Sequence, residues 1–101
     1  MAEWIYFLHA PREDFAASMS DAESAAFAEH FEYLKSLFDD GTLILAGPTL
    51  GRHNTGLAIF EADSEEAARS VMEADPAISA GVVRGELRPY RVSLLRDRAD
   101  R

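Results

Sequence analysis

The stretch Trp4-Ile5-Tyr6-Phe7-Leu8 decides how the rest of the chain is interpreted. It is short, apolar and rich in aromatic side chains, which is typical of a β-strand. Successive side chains of a strand point to opposite faces, so Ile5 and Phe7 would lie on one face and the other three on the opposite face. Because both sets are apolar, the pattern predicts a sheet that is covered on both sides.

A helix and two strands are predicted after this strand. Ser20 and Glu23 have the spacing of a capping box, and Gly41 is a good helix stop. The stripe predicted to be buried on this helix consists of Ala25, Phe27, Phe31, Leu34, Leu37 and Phe38, which recur at three- and four-residue steps. Residues 43–46 form the next predicted strand, which Gly47-Pro48 ends, and residues 57–61 form the one after it.

A second helix and a last extended region complete the pattern. Ser64 is the predicted N-cap of the helix, and Asp75-Pro76 ends it, because the residue before a proline is pushed out of the helical conformation. The extended region covers residues 82–95, where Pro89 indicates an edge strand or a bend.

The order strand, helix, two strands, helix, strand predicts an α+β fold of the ferredoxin-like βαββαβ type. Its four-stranded antiparallel sheet would carry both helices on one face. A second copy of the chain is the simplest cover for the other face, because two-fold dimers are the commonest oligomers. We therefore predict a homodimer, built from one domain over residues 1–95 with a charged tail over residues 96–101.

The composition excludes several classes of function. The 101 residues include 10 Lys or Arg and 18 Asp or Glu, and a net charge of −8 argues against nucleic acid and anionic membrane surfaces as partners. Without cysteine there is no disulfide, thiolate catalyst or Cys-ligated metal. No metal-ligand spacing, glycine-rich phosphate loop, membrane-spanning run or signal peptide is found, so we expect no metal, no cofactor and a cytoplasmic location.

Few residues could carry chemistry, and each has a structural alternative. His30 lies in the apolar stripe of the first helix. It would be either a core histidine bonded to the backbone or a general acid and base. Asp75 would be a cap or turn residue, or the carboxylate that orients an imidazole. Arg12 would be a solvated loop residue or a clamp for a substrate anion. Gly47-Pro48 would be an ordinary turn or a pocket wall.

An ordered set of short motifs resembles the YCII-related (YciI-like) family. No single motif is specific, but together they cover the chain to about residue 95. In order they are the opening aromatic strand, Pro11-Arg12-Glu13-Asp14-Phe15 leading to Met19, Glu29-His30 with Tyr33-Leu34, Gly41 with Gly47-Pro48, Asp75-Pro76, and Glu86-Leu87-Arg88-Pro89-Tyr90.

The resemblance implies a ferredoxin-like domain that pairs sheet to sheet in a dimeric α+β barrel. It also implies a His–Asp pair in a small pocket beside the dimer interface, which by motif is His30 and Asp75. Arg12 matches an arginine common in one branch of the family. The substrate-binding residues expected around the pair are Arg12, Tyr33, Gly47 and Pro48.

Three functions remain open from the sequence. The first is a small cofactor-independent enzyme with lyase-, isomerase- or hydrolase-type acid–base chemistry on a small aromatic or enolic metabolite, since a branch of the family is linked to dehydrochlorination of an aromatic ring. In it, His30 would shuttle a proton and Asp75 would orient the imidazole. The second is a non-catalytic module that binds a small molecule in the same pocket. The third is an accessory subunit of a larger enzyme.

Overall fold

The computed structural model of the chain describes residues 2–96. Its elements are β1 (Ala2–His9), a short 3₁₀ helix (Phe15–Ala17), α1 (Asp21–Asp39), β2 (Leu43–Pro48), β3 (Thr55–Ala62), α2 (Glu65–Glu73), α3 (Pro76–Ser79) and β4 (Arg84–Tyr90). The four strands form one antiparallel sheet in the order β2-β3-β1-β4. The predicted α+β fold is confirmed, and α3 is an addition to it.

The helices begin where the sequence predicts. The Ser20 side chain accepts from the Glu23 backbone N–H, and the Glu23 side chain accepts from the Ser20 N–H, which completes the capping box. Ser64 caps α2. Asp75 was expected to end α2, but α2 ends at Glu73 and Asp75 is the N-cap of α3. Pro76 allows this start, because the first residue of a helix needs no N–H partner.

The predicted end of β2 at Gly47-Pro48 is wrong, because the strand continues through both residues. Pro48 lies opposite Gly56 on β3, and β2 is an edge strand. A proline is tolerated there because an edge strand has one side without ladder bonds. The chain turns after Pro48 instead, and the Thr49 backbone N–H donates to the Thr55 carbonyl at 2.8 Å.

The main core lies between the helices and the inner face of the sheet. Trp4, Tyr6 and Leu8 of β1 belong to it, and the rings of Tyr6 and Phe60 pack edge to face at 5.7 Å. At the β4 side the backbone comes close to α3: a Cβ added at Gly85 would lie 2.9 Å from the Ile78 Cδ1 atom. The absence of a side chain at position 85 therefore lets α3 settle on the sheet.

The buried stripe of α1 differs from the prediction. Ala26 and Leu37 are buried, and Phe27, His30, Tyr33 and Leu34 are half-buried. Ala25 is exposed, and Phe31 and Phe38 are 60% and 63% exposed. Each phenylalanine follows an inward-facing residue by one position, which turns it about 100° round the helix. The buried face of α1 is therefore narrower than the predicted stripe and excludes Phe31 and Phe38.

The outer face of the sheet is apolar at its centre, as the first strand predicted. Ile5 pairs with Ile59 and Phe7 with Leu57, and the two isoleucines are buried although they lie outside the main core cluster. Leu45, opposite Ile59, is 41% exposed. No helix of the described residues covers this face, so a second copy as its cover stays a prediction.

Residues 91–96 form no helix or strand, and the Val92 backbone N–H donates to Glu3 Oε1 at 2.8 Å. Most of the predicted tail, residues 97–101, lies outside the described residues. None of the helices between residues 2 and 96 has the length and apolar content that crossing a bilayer requires.

Candidate active site around Asp75

Asp75 is the one fully buried charged side chain among residues 2–96, and three elements converge on it. The Tyr6 hydroxyl, from the central strand β1, donates to Oδ2 at 2.7 Å. The Nδ1 atom of His30, from α1, lies 2.8 Å from Oδ2 and 2.9 Å from Oδ1. The backbone N–H of Ala77, in the first turn of α3, donates to Oδ1 at 2.9 Å.

This set of partners shows why a carboxylate can be buried here. A buried charge is costly unless hydrogen bonds replace the lost water. Asp75 receives donors of three kinds: a phenol, an imidazole and a backbone amide. The two interpretations of Asp75 are therefore compatible, since one side chain caps α3 and also contacts His30.

The contact with Asp75 fixes the tautomer of His30. An ionised carboxylate only accepts hydrogen bonds, so Nδ1 of the ring carries the proton. In the neutral ring Nε2 is then an unprotonated acceptor. Nε2 has no hydrogen-bond partner within residues 2–96. Every fully buried side-chain nitrogen or oxygen atom of these residues does have a partner, so Nε2 is exposed to solvent. The side chain as a whole is 13% exposed.

An aromatic wall lies beside the imidazole. The Phe27 ring is tilted against the His30 ring with centroids 5.0 Å apart, and Phe15 packs on Phe27 at 5.5 Å. A base with an apolar wall and a carboxylate behind it can accept a proton at Nε2 while Asp75 stabilises the resulting imidazolium.

Both tyrosines near Asp75 are held in the protonated form. Burial raises the pKa of Tyr6 far above its usual value, and the charge and hydrogen bond of Asp75 raise it further. Burial and then the charge of Asp75 raise the pKa of Tyr33 to about 12. The Tyr33 hydroxyl donates to the Val71 carbonyl at 2.6 Å, so its proton is directed toward α2.

Arg12 lies at the N-terminal end of α1, where its guanidinium binds Glu23 through two contacts of 2.7 and 3.0 Å. It also donates to the Ser18 carbonyl at 2.8 Å and lies 5.1 Å above the Phe15 ring. The hydrogen bond from Arg12 is the main reason that the pKa of Glu23 falls to about 2. Arg12 thus holds the opening loop on α1, and a substrate anion would have to compete with Glu23.

Gly47 and Pro48 are exposed on the edge strand β2. A Cβ added at Gly47 would meet no atom within 4 Å. Among the described residues, no hydrogen bond joins either position to Asp75 or His30. Their role as substrate contacts therefore stays a prediction.

Two surface depressions among residues 2–96 are lined by residues other than the pair. One is lined by Ala28, Glu29, Glu32, Tyr33 and Pro76, and the other lies around His9 and Arg84. The first borders the pair, because Tyr33 is one helical turn after His30 and Pro76 follows Asp75. No three metal-ligating side chains of His, Cys, Asp or Glu converge in this part of the chain.

The sequence model of the YCII-related domain matches residues 4–90. The chain belongs to the YCII-related family. One similar solved structure is the 5-chloro-2-hydroxyhydroquinone dehydrochlorinase of Burkholderia phenoliruptrix AC1100 in complex with 2,5-dihydroxybenzoquinone; it is 24% identical, with a TM-score of 0.66 over 90% of this chain and 94% of that one. Another is muconolactone isomerase, 15% identical, with a TM-score of 0.62 over 93% and 96%. These likenesses show a shared fold, and no curated protein matches the sequence.

Tyr6 is the residue of this YCII-related site that sequence reasoning missed. It was interpreted only as part of an apolar strand. Tyr6 shares the inner face of β1 with Trp4 and Leu8, and a phenylalanine at position 6 would pack in this core as well as a tyrosine does. A buried phenol needs an acceptor, so a tyrosine at the centre of such a strand was the available signal for a polar group under the helices.

Proposed function

We propose that this YCII-related protein is a small enzyme that moves a proton on a small aromatic or enolic metabolite, using only its own side chains. His30 is the general base and acid, and Asp75 orients its ring and stabilises its charged form. One observation supports this most directly: Nδ1 is bound to a buried carboxylate while Nε2 reaches the surface.

The reaction follows from that geometry. Nε2 of His30 takes a proton from a C–H or O–H group of the substrate, and the electron pair of that bond stays on the substrate as an enolate or phenolate. The imidazolium is stabilised through Nδ1–H by Asp75. In an isomerisation Nε2 returns the proton to another atom of the substrate. In an elimination a leaving group departs with its electron pair, and the proton passes to water.

The substrate class is supported by the proteins that share the fold. One is a dehydrochlorinase of a chlorinated hydroxyhydroquinone, seen with a dihydroxybenzoquinone, and the other is an isomerase of muconolactone. Both act on small oxygenated rings. We propose the same chemical class here, with Arg12, Tyr33, Gly47 and Pro48 as substrate contacts. Of these, Tyr33 lies closest to His30 along α1, one turn away.

We also propose that two copies pair through the outer face of the sheet. Ile5, Phe7, Leu57 and Ile59 form a central apolar cluster there, which the helices of the same protomer do not cover. A stable interface would bury at least about 1,000 Å² in total and be self-complementary. The His30–Asp75 pair lies on the opposite face of the sheet, under the helices, where Tyr6 contacts Asp75, so the pairing is proposed as the cover for the apolar cluster.

Deuterium incorporation from D2O, measured by mass spectrometry, tests proton transfer without requiring net turnover. Hydroxyhydroquinones, their chlorinated forms and unsaturated lactones are the probes. We expect the wild type to exchange or convert at least one of them, with the rate lost in His30→Gln. His53→Gln is the matched control, because the side chain of His53 is 78% exposed and its ion-pair partner is Glu13.

Three results would contradict parts of this proposal. Saturable binding of a probe without exchange would support the binding module, and exchange that survives in His30→Gln would remove His30 as the base. If no probe binds and the chain purifies with a larger protein, the accessory role is supported instead.

A further inference from the structure

Tyr6 and His30 share one oxygen atom of Asp75. The Tyr6 hydroxyl donates to Oδ2 at 2.7 Å, and Nδ1 of His30 lies 2.8 Å from the same atom. Tyr6 has no solvent exposure, so it does not reach a substrate. Its hydroxyl therefore acts on the exposed edge of the imidazole only through the carboxylate between them.

We propose that Tyr6 is a positioning residue that sets the proton affinity of His30 through Asp75. A hydrogen bond from a phenol draws negative charge on the carboxylate toward itself. The carboxylate then attracts the imidazolium less strongly, and His30 releases its proton more readily. The proposal rests on the proposed function only in taking His30 as the reactive base.

The other groups around the pair do not substitute for this hydroxyl. On α1 the titratable neighbour is Tyr33, which stays protonated and donates to the Val71 carbonyl. On α3 the remaining donor to Asp75 is the Ala77 backbone N–H, which has no charge. No Lys or Arg within residues 2–96 forms a hydrogen bond with Asp75. The negative charge of Asp75 is therefore stabilised only by the neutral donors and the imidazole.

The test is Tyr6→Phe, followed by NMR titration of the His30 ring signals. Phenylalanine keeps the edge-to-face packing on Phe60, and Asp75 keeps the imidazole and the Ala77 N–H as donors. We expect the His30 ring to take up its second proton at higher pH than in wild type, by about one pH unit, a tenfold change in proton affinity. The Nδ1–H proton signal should also move downfield, because the freed carboxylate accepts it more strongly.

Tyr33→Phe is the matched control, since it removes a half-buried phenol hydroxyl that is bonded to a backbone carbonyl and not to Asp75. Its His30 titration should match wild type. An unchanged titration in Tyr6→Phe would overturn the proposal, as would a shift to lower pH, which would mean that Asp75 had taken the proton instead. The measurement needs no substrate, so loss of the proposed enzyme activity and loss of this coupling are separate outcomes.

Discussion

Replacing Asp75 should separate its structural role from its electrostatic one. In Asp75→Ala the Tyr6 hydroxyl, the Nδ1–H of His30 and the Ala77 N–H all lose their acceptor in a site with no solvent. Removing one partner of a buried charged network costs about 3–5 kcal/mol. A domain of this size is stable by about 5–15 kcal/mol, so this variant should lose between about a fifth and all of that stability.

Asp75→Asn should behave differently, because it keeps the size of the side chain and one oxygen acceptor. Its oxygen can still accept from the Ala77 N–H, but its amide group now faces His30 and donates. We expect a loss of about 1–2 kcal/mol in the free energy of unfolding. The His30 ring should switch its proton to Nε2, which removes the free acceptor and with it about 10³–10⁴-fold of any base-catalysed rate.

Urea unfolding followed by circular dichroism at pH 7 measures the stability of both variants, and ¹⁵N shifts of the imidazole report the tautomer. At a slope of about 1–3 kcal/mol per molar urea, the alanine variant should unfold at least about 1 M earlier than wild type. An Asp75→Ala protein within about 1 kcal/mol of wild type would refute the argument that three donors hold the buried carboxylate. An unchanged tautomer in Asp75→Asn would refute the assignment of the His30 proton.

Three further outcomes follow from other parts of the fold. Gly85→Ala should lower the free energy of unfolding by no more than about 1 kcal/mol in urea unfolding, because the atoms nearest the new Cβ, Ile78 Cδ1 at 2.9 Å and Met72 Sδ at 3.1 Å, belong to side chains that can move. Since folding lowers the pKa of Glu23 to about 2, its pairing with Arg12 stabilises the fold above pH 4.5 and is lost as the pH falls toward 2. Glu23→Gln should therefore flatten the fall of the melting temperature in that range. Leu57→Lys should convert a dimer into a monomer in light scattering, whereas a wild-type monomer of 11.2 kDa at micromolar concentration would contradict the pairing of sheets.

The fold could be predicted from the sequence because its signals are local. The capping box at Ser20, the cap at Ser64 and the left-handed Gly41 each mark a helix end through nearby backbone groups. Phe31 and Phe38 were predicted to be buried but are exposed, because recurrence at three- and four-residue steps does not determine the width of the buried face of α1. That width depends on the sheet, which is assembled from strands distant in sequence.

Local signals also predicted part of the candidate site. His30 and Asp75 were found through their residue types and the family motifs, although 45 positions separate them. Tyr6 was missed because its partner is 69 positions away: a buried phenol implies an acceptor, but nothing near it in the sequence indicates which residue supplies that acceptor. The pairing of Arg12 with Glu23 was not predicted, because the sequence does not show that a capping residue also binds a loop arginine; the role of Arg12 as a substrate contact stays a prediction.

The central strand β1 explains how this small domain holds a buried charge beside an apolar interface. Alternate side chains of a strand serve opposite faces, so Tyr6 reaches the carboxylate under the helices while Ile5 and Phe7 lie on the outer face. Substitutions on the outer face can therefore change assembly without touching the hydrogen bonds of Asp75. The His30–Asp75 contact is complete within one protomer, so a monomeric variant made on the outer face should keep this contact and the His30 titration of the wild type.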